Sequence, residues 1–149
     1  MIIRDIVKED EALFIKMCQD FYCTDAVLLP MDVSKIKKTF EQALNKSPYV
    51  RLVFLAEETQ TIGYALFAFY WSNEAGGLVA QIEELYILPE HRCKQYGHAF
   101  FDWCFDSYKD QVARFRLEVC ESNKGAIKLY TQYGFEVLPY IQMISDSNE

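Results

Sequence analysis

Three apolar stretches follow one another through the middle of the chain and are separated only by short polar segments. They occupy residues 50–56, 62–71 and 79–88, and each is rich in the β-branched and aromatic residues that favour strands. The first two are joined by residues 57–60, a short polar link that predicts an antiparallel hairpin. The third follows a flexible turn at residues 73–77, so the sheet is predicted to begin with consecutive antiparallel strands.

Two helices are predicted before these strands. Residues 2–7 resemble a first strand, and the helix expected after it carries apolar residues at helical spacing, namely Phe14, Met17, Cys18, Phe21 and Tyr22. A second helix is expected to begin at Asp32 or Ser34. Its predicted buried stripe consists of Val33, Ile36, Phe40, Ala43 and Leu44.

Helices and strands alternate in the second half of the chain. A polar loop at residues 89–97 leads into a helix with one apolar side, formed by Phe100, Phe101, Cys104, Phe105 and Tyr108. A strand at residues 114–119, a helix capped by Ser122 and a strand from Phe135 onwards complete the order β-α-α-β-β-β-α-β-α-β. This order predicts an α/β fold of the α+β type, with a mixed sheet and helices on both faces. Because no linker-like run interrupts the chain, residues 1–149 are expected to form a single domain.

The charge balance narrows the class of partner. The 149 residues include 15 Lys and Arg against 22 Asp and Glu, which gives a net charge of −7 at pH 7. A surface of this sign disfavours nucleic acids and anionic membranes as partners, because both need a broad basic face. It suits cationic ligands, whereas an anionic ligand must be held by local geometry.

The cysteines and the absence of long apolar runs bear on the cellular compartment. The chain has five cysteines, an odd number without C-x-x-C spacing, so neither a disulfide framework nor a structural zinc site is expected. Charged residues begin at Arg4, and no run approaches the ~20 apolar residues that span a bilayer. We therefore expect a cytoplasmic protein without a metal ion or a membrane partner.

A basic segment within this acidic chain is the first candidate for chemistry. Residues 89–99 read PEHRCKQYGHA, and from His91 to His98 they contain Arg92, Lys94 and two imidazoles but no carboxylate. The segment runs from a strand end into a helix N-terminus, where free N–H groups and the helix dipole favour a phosphate or pyrophosphate. Gly97 permits close approach of a ligand to the backbone. An ordinary solvated helix start is the alternative.

Two neighbouring carboxylates occupy the predicted strand at residues 79–88. Strand alternation sends Glu83 and Glu84 to opposite faces, so at least one of them should be partly buried if the strand is central. Burial raises the pKa of a carboxyl towards the working pH, which suits a general base. Pairing with Arg or Lys across the sheet is the structural alternative.

Two further candidates lie on the last predicted helix. Tyr130 falls on an apolar stripe with Ala126 and Tyr133, so it is either a core aromatic or a phenol that donates a proton. Asn123 follows the candidate cap and is otherwise an ordinary residue of a helix start.

Three segments together resemble the GNAT superfamily of N-acetyltransferases. Ile3, Arg4, Glu9 and Asp10 look like its first strand and turn, residues 82–99 like its acetyl-CoA motif, and residues 123–135 like its Asn, Tyr and Gly-Phe pattern. The resemblance covers nearly the whole chain, and it implies the GNAT fold and acetyl-CoA as co-substrate. It assigns contacts with acetyl-CoA to Leu85, Tyr86, Ile87, Arg92, Cys93, Lys94, Gln95, Tyr96, Gly97, His98, Asn123 and Ala126.

The pyrophosphate loop departs from the family pattern at one position that matters. The sequence pattern of this loop in the family is Q/R-x-x-G-x-G/A, which corresponds to residues 92–97 here. Gln95 occupies the position at which the first glycine is usual. Cys93 replaces another common glycine. If residue 95 needs a positive φ, Gln costs ~1–2 kcal/mol relative to Gly, which implies weaker but not abolished binding of acetyl-CoA.

The resemblance also implies a mechanism of direct transfer in a ternary complex. By similarity to the spermidine/spermine-type enzymes, Glu83 acts as the base, through water, with Glu84 as the alternative. A strand N–H near Leu85 or Tyr86 stabilises the oxyanion, and Tyr130 protonates the departing thiolate.

The acceptor is expected to be a small, cationic primary amine. The family builds this pocket from segments that correspond to residues 22–30 and 70–77, where Asp25, Glu74 and several aromatic residues suit such an amine. Alternatives are a silent acyl-CoA-binding or regulatory module, a peptide or protein N-acetyltransferase, and thiol chemistry at Cys93. A homodimer is possible, with residues 137–144 contributing to it.

Overall fold

Five strands lie side by side in the same order as they occur along the chain. The computed structural model describes residues 1–24 and 31–147. The strands are β1 (Ile2–Asp5), β2 (Val50–Glu57), β3 (Gln60–Ser72), β4 (Gly77–Ile87) and β5 (Arg114–Leu117). Neighbours from β1 to β4 are antiparallel, and β4 and β5 are parallel because a helix crosses over between them.

Helices cover both faces of the sheet, as the element order predicted. On one face α1 (Glu11–Tyr22) and α2 (Val33–Leu44) bury aromatic and aliphatic side chains against β2, β3 and β4. On the other face α3 (Tyr96–Tyr108) and α4 (Lys124–Gln132) pack over a second core centred on Phe67, Phe100 and Phe101. The predicted mixed α+β sheet is therefore confirmed.

Short polar side chains set the beginnings of two helices. The Asp32 carboxylate accepts the Ser34 N–H at 2.7 Å, so α2 begins directly after Asp32, one of the two predicted positions. Asn123, and not the predicted Ser122, caps α4, because its Oδ1 accepts the Ala126 N–H at 3.2 Å.

The parallel strands β4 and β5 diverge, and the divergence creates the open part of the fold. Their last paired residues are Ile82 and Leu117, yet β4 continues to Ile87. Within residues 1–24 and 31–147, residues 83–87 therefore have a neighbouring strand only on the β3 side.

A bulge at the start of this divergence breaks the predicted alternation. Leu66 pairs with Glu84 and Phe67 pairs with Ile82, so Glu83 is an extra residue in β4. As a result Ile82 and Leu85, three positions apart, both pack into the core under α3, while Glu84 lies on the face that α1 covers. Regular alternation is therefore interrupted between Ile82 and Leu85, and the partly buried carboxylate that the sequence predicted is Glu84.

The final predicted strand is not formed among the described residues. From Phe135 to residue 147 the chain is irregular, and the observed order ends at α4. Pro139 lies in the middle of the apolar stretch at residues 137–144 and has no N–H to donate to a ladder. Val137, Ile141 and Met143 are at least 90% exposed in consequence.

Candidate active site

A cavity of about 750 Å³ opens where β4 leaves β5. The end of β4 forms one wall, the loop before α3 and the first turn of α3 form a second, and α4 forms a third. Every residue predicted to contact acetyl-CoA lines this cavity except Lys94. Segments that are up to 41 positions apart, from Leu85 to Ala126, therefore meet at one site.

The β4 wall presents backbone groups that no described strand pairs with. The Leu88 N–H donates to Ile62 C=O at 2.9 Å, and since N–H groups alternate sides along a strand, Tyr86 also faces β3. Leu85 and Ile87 face the cavity instead, and the Ile87 carbonyl accepts a hydrogen bond from Arg92 Nε at 2.8 Å. Of the two N–H groups predicted for an oxyanion, Leu85 is the one that points to the open side. Tyr86 contributes its side chain, with the Arg92 guanidinium 5.5 Å from its ring centre.

The loop into α3 has the backbone form of an anion site. Cys93 and Gln95 have φ values of 61° and 63°, in the left-handed region that was expected to require glycine at residue 95. The first bond within α3 runs from the Ala99 N–H to Gln95 C=O, so the N–H groups before it in the first turn have no partner within the helix. These groups and the helix dipole favour negative charge at this end of the cavity.

Gly97 serves helix packing as well as access to the backbone. A Cβ at this position would lie 2.7 Å from Leu129 Cδ2, which belongs to α4. Glycine therefore lets α3 and α4 approach closely enough to form two walls of one cavity.

Glu83 and Glu84 have different environments. The Glu83 side chain is exposed in part and does not line the cavity. Partial burial of its carboxyl group, repulsion from Glu118 and repulsion from Glu84 raise the pKa of this carboxyl. Arg116 opposes this effect. Glu84 is only 7% exposed and burial raises its pKa, while its hydrogen bonds act in the opposite direction.

Tyr130 combines the two roles that its position allowed. Its ring packs against Phe101 at 5.5 Å between ring centres and against Phe135 at 6.1 Å. It also lines the cavity. Burial raises the pKa of this phenol, so it remains protonated at neutral pH.

Three further residues of the cavity wall were not assigned a contact with acetyl-CoA from the sequence, although His91 belongs to the predicted basic segment. His91 is buried at the wall, and its Nδ1 lies 3.8 Å from Glu57 Oε2 without a hydrogen bond to any described residue. Phe21 and Thr24 close the cavity from the end of α1. Phe21 belongs to an apolar stripe, so its spacing could indicate only a core position.

The segments expected to bind the acceptor are only partly near this cavity. Asp25 lies outside the described residues. Glu74 forms an ion pair with Arg114 at 2.7 Å and accepts the Tyr140 hydroxyl at 3.1 Å, in a separate groove of about 430 Å³. Tyr22 donates its hydroxyl to Glu84 at 2.6 Å. Glu74 is thus already neutralised by a neighbour and does not offer a free carboxylate for an amine.

Comparison with known proteins decides the family. The acetyltransferase (GNAT) family matches residues 15–135, which is most of the chain. The protein belongs to the GNAT acetyltransferase family. This GNAT protein is an acetyl-CoA-dependent N-acetyltransferase. Its cavity joins an open strand edge to a helix N-terminus, an arrangement that suits a thioester carrying phosphates.

Solved structures agree with the GNAT fold at low sequence identity. A possible acetyltransferase from Clostridium difficile 630 has 15% identity and a TM-score of 0.83, over 99% of this chain and 98% of that one. A predicted acetyltransferase with acetyl-CoA from Clostridium acetobutylicum has 16% identity and a TM-score of 0.77, over 97% and 95%. Ribosomal-protein-alanine N-acetyltransferase from Brucella melitensis biovar Abortus 2308 has 15% identity and a TM-score of 0.73, over 99% and 100%. Curated protein sequences give no match.

Residues 1–24 and 31–147 contain neither a grouping of metal-ligating side chains nor a membrane-spanning helix. No group of three or more His, Cys, Asp or Glu side chains in this part of the GNAT chain is arranged to hold a metal ion. None of its helices is long and apolar enough to cross a membrane.

Proposed function

We propose that this protein transfers the acetyl group of acetyl-CoA directly to the primary amine of a small, cationic acceptor. The observation that supports this most is that one cavity joins the unpaired end of β4, the N-terminus of α3 and the Tyr130 phenol. An acetyl thioester needs these three elements: a backbone donor for its carbonyl oxygen, a place for phosphates and an acid for its leaving group.

Glu83 is the base in this proposal. It is the extra residue of the β4 bulge, two positions from the Leu85 N–H that faces the cavity, and its raised pKa suits proton abstraction near neutral pH. Because Glu83 does not line the cavity itself, a water molecule relays the proton from the amine. Glu84 suits the role less well, since both of its oxygens already accept phenol hydroxyls.

Tyr130 is the acid, and the neighbouring residues hold acetyl-CoA. The Leu85 N–H donates to the carbonyl oxygen as negative charge develops on it, and the Tyr130 hydroxyl donates its proton to the thiolate. The N–H groups at the start of α3 bind the pyrophosphate, with Arg92 beside them. Asn123 contacts acetyl-CoA from the start of α4.

Local charge supports a cationic acceptor. Glu83 and Glu118 lie just beyond the last paired residues of β4 and β5. Burial, with repulsion from Glu118 and Glu84, raises the pKa of Glu83 more than Arg116 lowers it. A cationic amine that approaches this end of the strands relieves the repulsion, and the net charge of −7 attracts it from a distance. Glu74 does not contribute, because Arg114 neutralises it.

A panel assay tests the proposal. Release of CoA from acetyl-CoA is measured with polyamines, aminoglycosides, amino acids and peptides as acceptors. We expect turnover with at least one small amine, and lower turnover with Glu83→Gln, whereas Glu90→Gln, outside the proposed machinery, serves as the control.

The outcomes of the panel separate the alternatives. Activity only on a peptide or protein N-terminus would refute a small acceptor and favour the action named for the Brucella protein. Binding of acetyl-CoA without any CoA release would indicate a silent module, which is the alternative favoured by Gln95 in a left-handed conformation.

A further inference from the structure

The proposed mechanism leaves one buried ionisable cluster without a role. Glu84 follows the bulge in β4 and is 7% exposed. Its Oε1 accepts the Tyr22 hydroxyl at 2.6 Å, and its Oε2 accepts the Tyr64 hydroxyl at 2.7 Å. The Cys18 thiol lies 3.9 Å from the same Oε2.

Stability alone gives a weak reason for a carboxylate at this position. Desolvating a carboxylate is costly, and a well-packed apolar residue often serves a core as well or better. The core on this face of the sheet includes Phe14, Met17 and Leu66, among which an apolar residue would be ordinary. We therefore look for a role of Glu84 in positioning the residues that it contacts.

Glu84 joins three elements at the edge of the cavity. Tyr22 is the last residue of α1, and its neighbours Phe21 and Thr24 line the cavity. Tyr64 belongs to β3 and lies opposite Tyr86. Glu84 itself stands between Glu83 and Leu85 in sequence, so fixing its side chain fixes the peptide groups on both sides.

We propose that Glu84 is a positioning residue, which, through hydrogen bonds from Tyr22 and Tyr64, fixes the β4 bulge and the end of α1 against the cavity. The reaction that Glu84 supports is acetyl transfer to the amine acceptor, so this inference rests on the proposed function. The hydrogen bonds hold Glu83 on one side and the Leu85 N–H on the other in fixed relation. Without them the bulge can change its register with β3, and the closing end of α1 loses its anchor.

Three variants test this role in the full chain. Tyr22→Phe removes one hydroxyl and keeps the ring, and Glu84→Gln keeps the shape but leaves only one acceptor oxygen. Tyr108→Phe is the matched control, since its hydroxyl accepts Arg51 Nη1 at 2.8 Å under the opposite face of the sheet.

The kinetic readout separates positioning from general stability. Per mole of folded protein, we expect kcat for the best acceptor to fall about 10- to 100-fold in Tyr22→Phe and Glu84→Gln, with binding of acetyl-CoA retained. The double variant should be little worse than either single one, because both remove the same interaction. Tyr108→Phe should stay within about twofold of the unmodified protein.

A second readout does not depend on activity. Amide hydrogen exchange at Glu84 and Tyr86, which face β3, should become faster in Tyr22→Phe than in Tyr108→Phe, while β2 amides stay unchanged. If Glu84→Gln does not fold, Tyr22→Phe still provides both measurements. An unchanged kcat together with unchanged exchange in Tyr22→Phe would overturn the inference. Absence of turnover in the unmodified protein would overturn the proposed function alone, and the exchange experiment would still decide the role of Glu84.

Discussion

Tyr130 lies on α4, where its ring packs against Phe101 and Phe135 and its side chain also lines the cavity. Because burial raises the pKa of its phenol, the hydroxyl keeps its proton across the neutral range. We expect Tyr130→Phe to lower kcat by about 100-fold, the order of magnitude of a lost general acid, with little change in acetyl-CoA affinity. Steady-state kinetics and ligand-dependent thermal shifts measure the two effects.

The neighbouring Tyr133 provides the control for this prediction. Its hydroxyl donates to Asp102 at 2.8 Å and does not line the cavity. Tyr133→Phe should therefore retain turnover. Equal turnover in Tyr130→Phe and the unmodified protein would assign Tyr130 to packing.

Gly63 shows a requirement that its position in the sequence did not reveal. A Cβ there would lie 2.1 Å from the Tyr86 carbonyl oxygen, so any side chain must push β4 away from β3. We expect Gly63→Ala to lower the free energy of unfolding by about 1–3 kcal/mol. Gly125→Ala, with nothing within 4 Å of the new Cβ and a place inside α4, should instead be neutral or stabilising. Urea denaturation compares the two, and equal effects would contradict the steric argument.

The sequence predicted which residues line the cavity better than it predicted how those residues are arranged. The family resemblance identified twelve of the residues that line the cavity, Tyr130 included, because it depends on short local segments. It could not identify the bulge at Glu83, which depends on the register between β4 and β3. The sequence predicted that at least one of Glu83 and Glu84 is partly buried, but that Glu84 is the buried one follows from the register.

The loop between β4 and α3 is an element under strain at two positions. Gln95 has a φ of 63°, a conformation that costs a non-glycine residue about 1–2 kcal/mol. We expect Gln95→Gly to raise the melting temperature and to strengthen acetyl-CoA binding, since the anion-binding loop becomes easier to form. Lys94→Gly, at a neighbouring position without a positive φ, should lower the melting temperature. A lower melting temperature for Gln95→Gly would show that the Gln95 side chain contributes more than the strain costs.

The connection from β1 to α1 depends on one ion pair with a defined pH dependence. Arg4 donates to both Asp10 oxygens at 2.7 and 2.9 Å, and these bonds lower the pKa of Asp10. A lowered pKa stabilises the fold at pH values above the unfolded-state pKa of about 3.9, and this stability is lost as the pH falls through the folded-state value. We expect Asp10→Asn to cost about 1–3 kcal/mol at pH 7 and progressively less below pH ~4.

Asp5 is the matched control for this pH dependence. Its carboxylate contacts Arg51 at 3.0 Å but is 73% exposed, so Asp5→Asn should cost less than about 1 kcal/mol at any pH. Denaturant melts of both variants from pH 3 to pH 7 make the comparison. A constant cost for Asp10→Asn across this range would exclude the ionised pair as its source.

At the scale of the whole molecule, the order of elements was predictable up to α4. Apolar periodicity predicted the first strand, both early helices and the antiparallel hairpin, because each of these buries one face locally. The final strand at residues 137–144 was predicted by the same apolar character and is not formed. Apolar composition cannot distinguish a strand with a pairing partner from a segment that has none.

This exposed segment leads to a prediction about assembly. Ile141 is 92% exposed and Met143 is 90% exposed, and monomeric proteins seldom leave such side chains together in water. We expect the protein to self-associate through residues 137–144, and Ile141→Asp to shift it towards the monomer in sedimentation velocity. Gln142→Asp adds the same charge next to this position and should shift the equilibrium less. A monomer at all concentrations in the unmodified protein would contradict this expectation.

The divergence of β4 and β5 also determines when the site comes into existence during synthesis. The first four strands pair with neighbours in chain order, so they can form a meander as soon as β4 has left the ribosome. The cavity, by contrast, needs the first turn of α3 and the residues of α4 up to Tyr130. A nascent or prematurely terminated chain that ends before α4 can therefore form most of the sheet, but it lacks one wall of the cavity and has no complete active site. It exposes the unpaired edge of β4 as a surface for aggregation or for capture by chaperones.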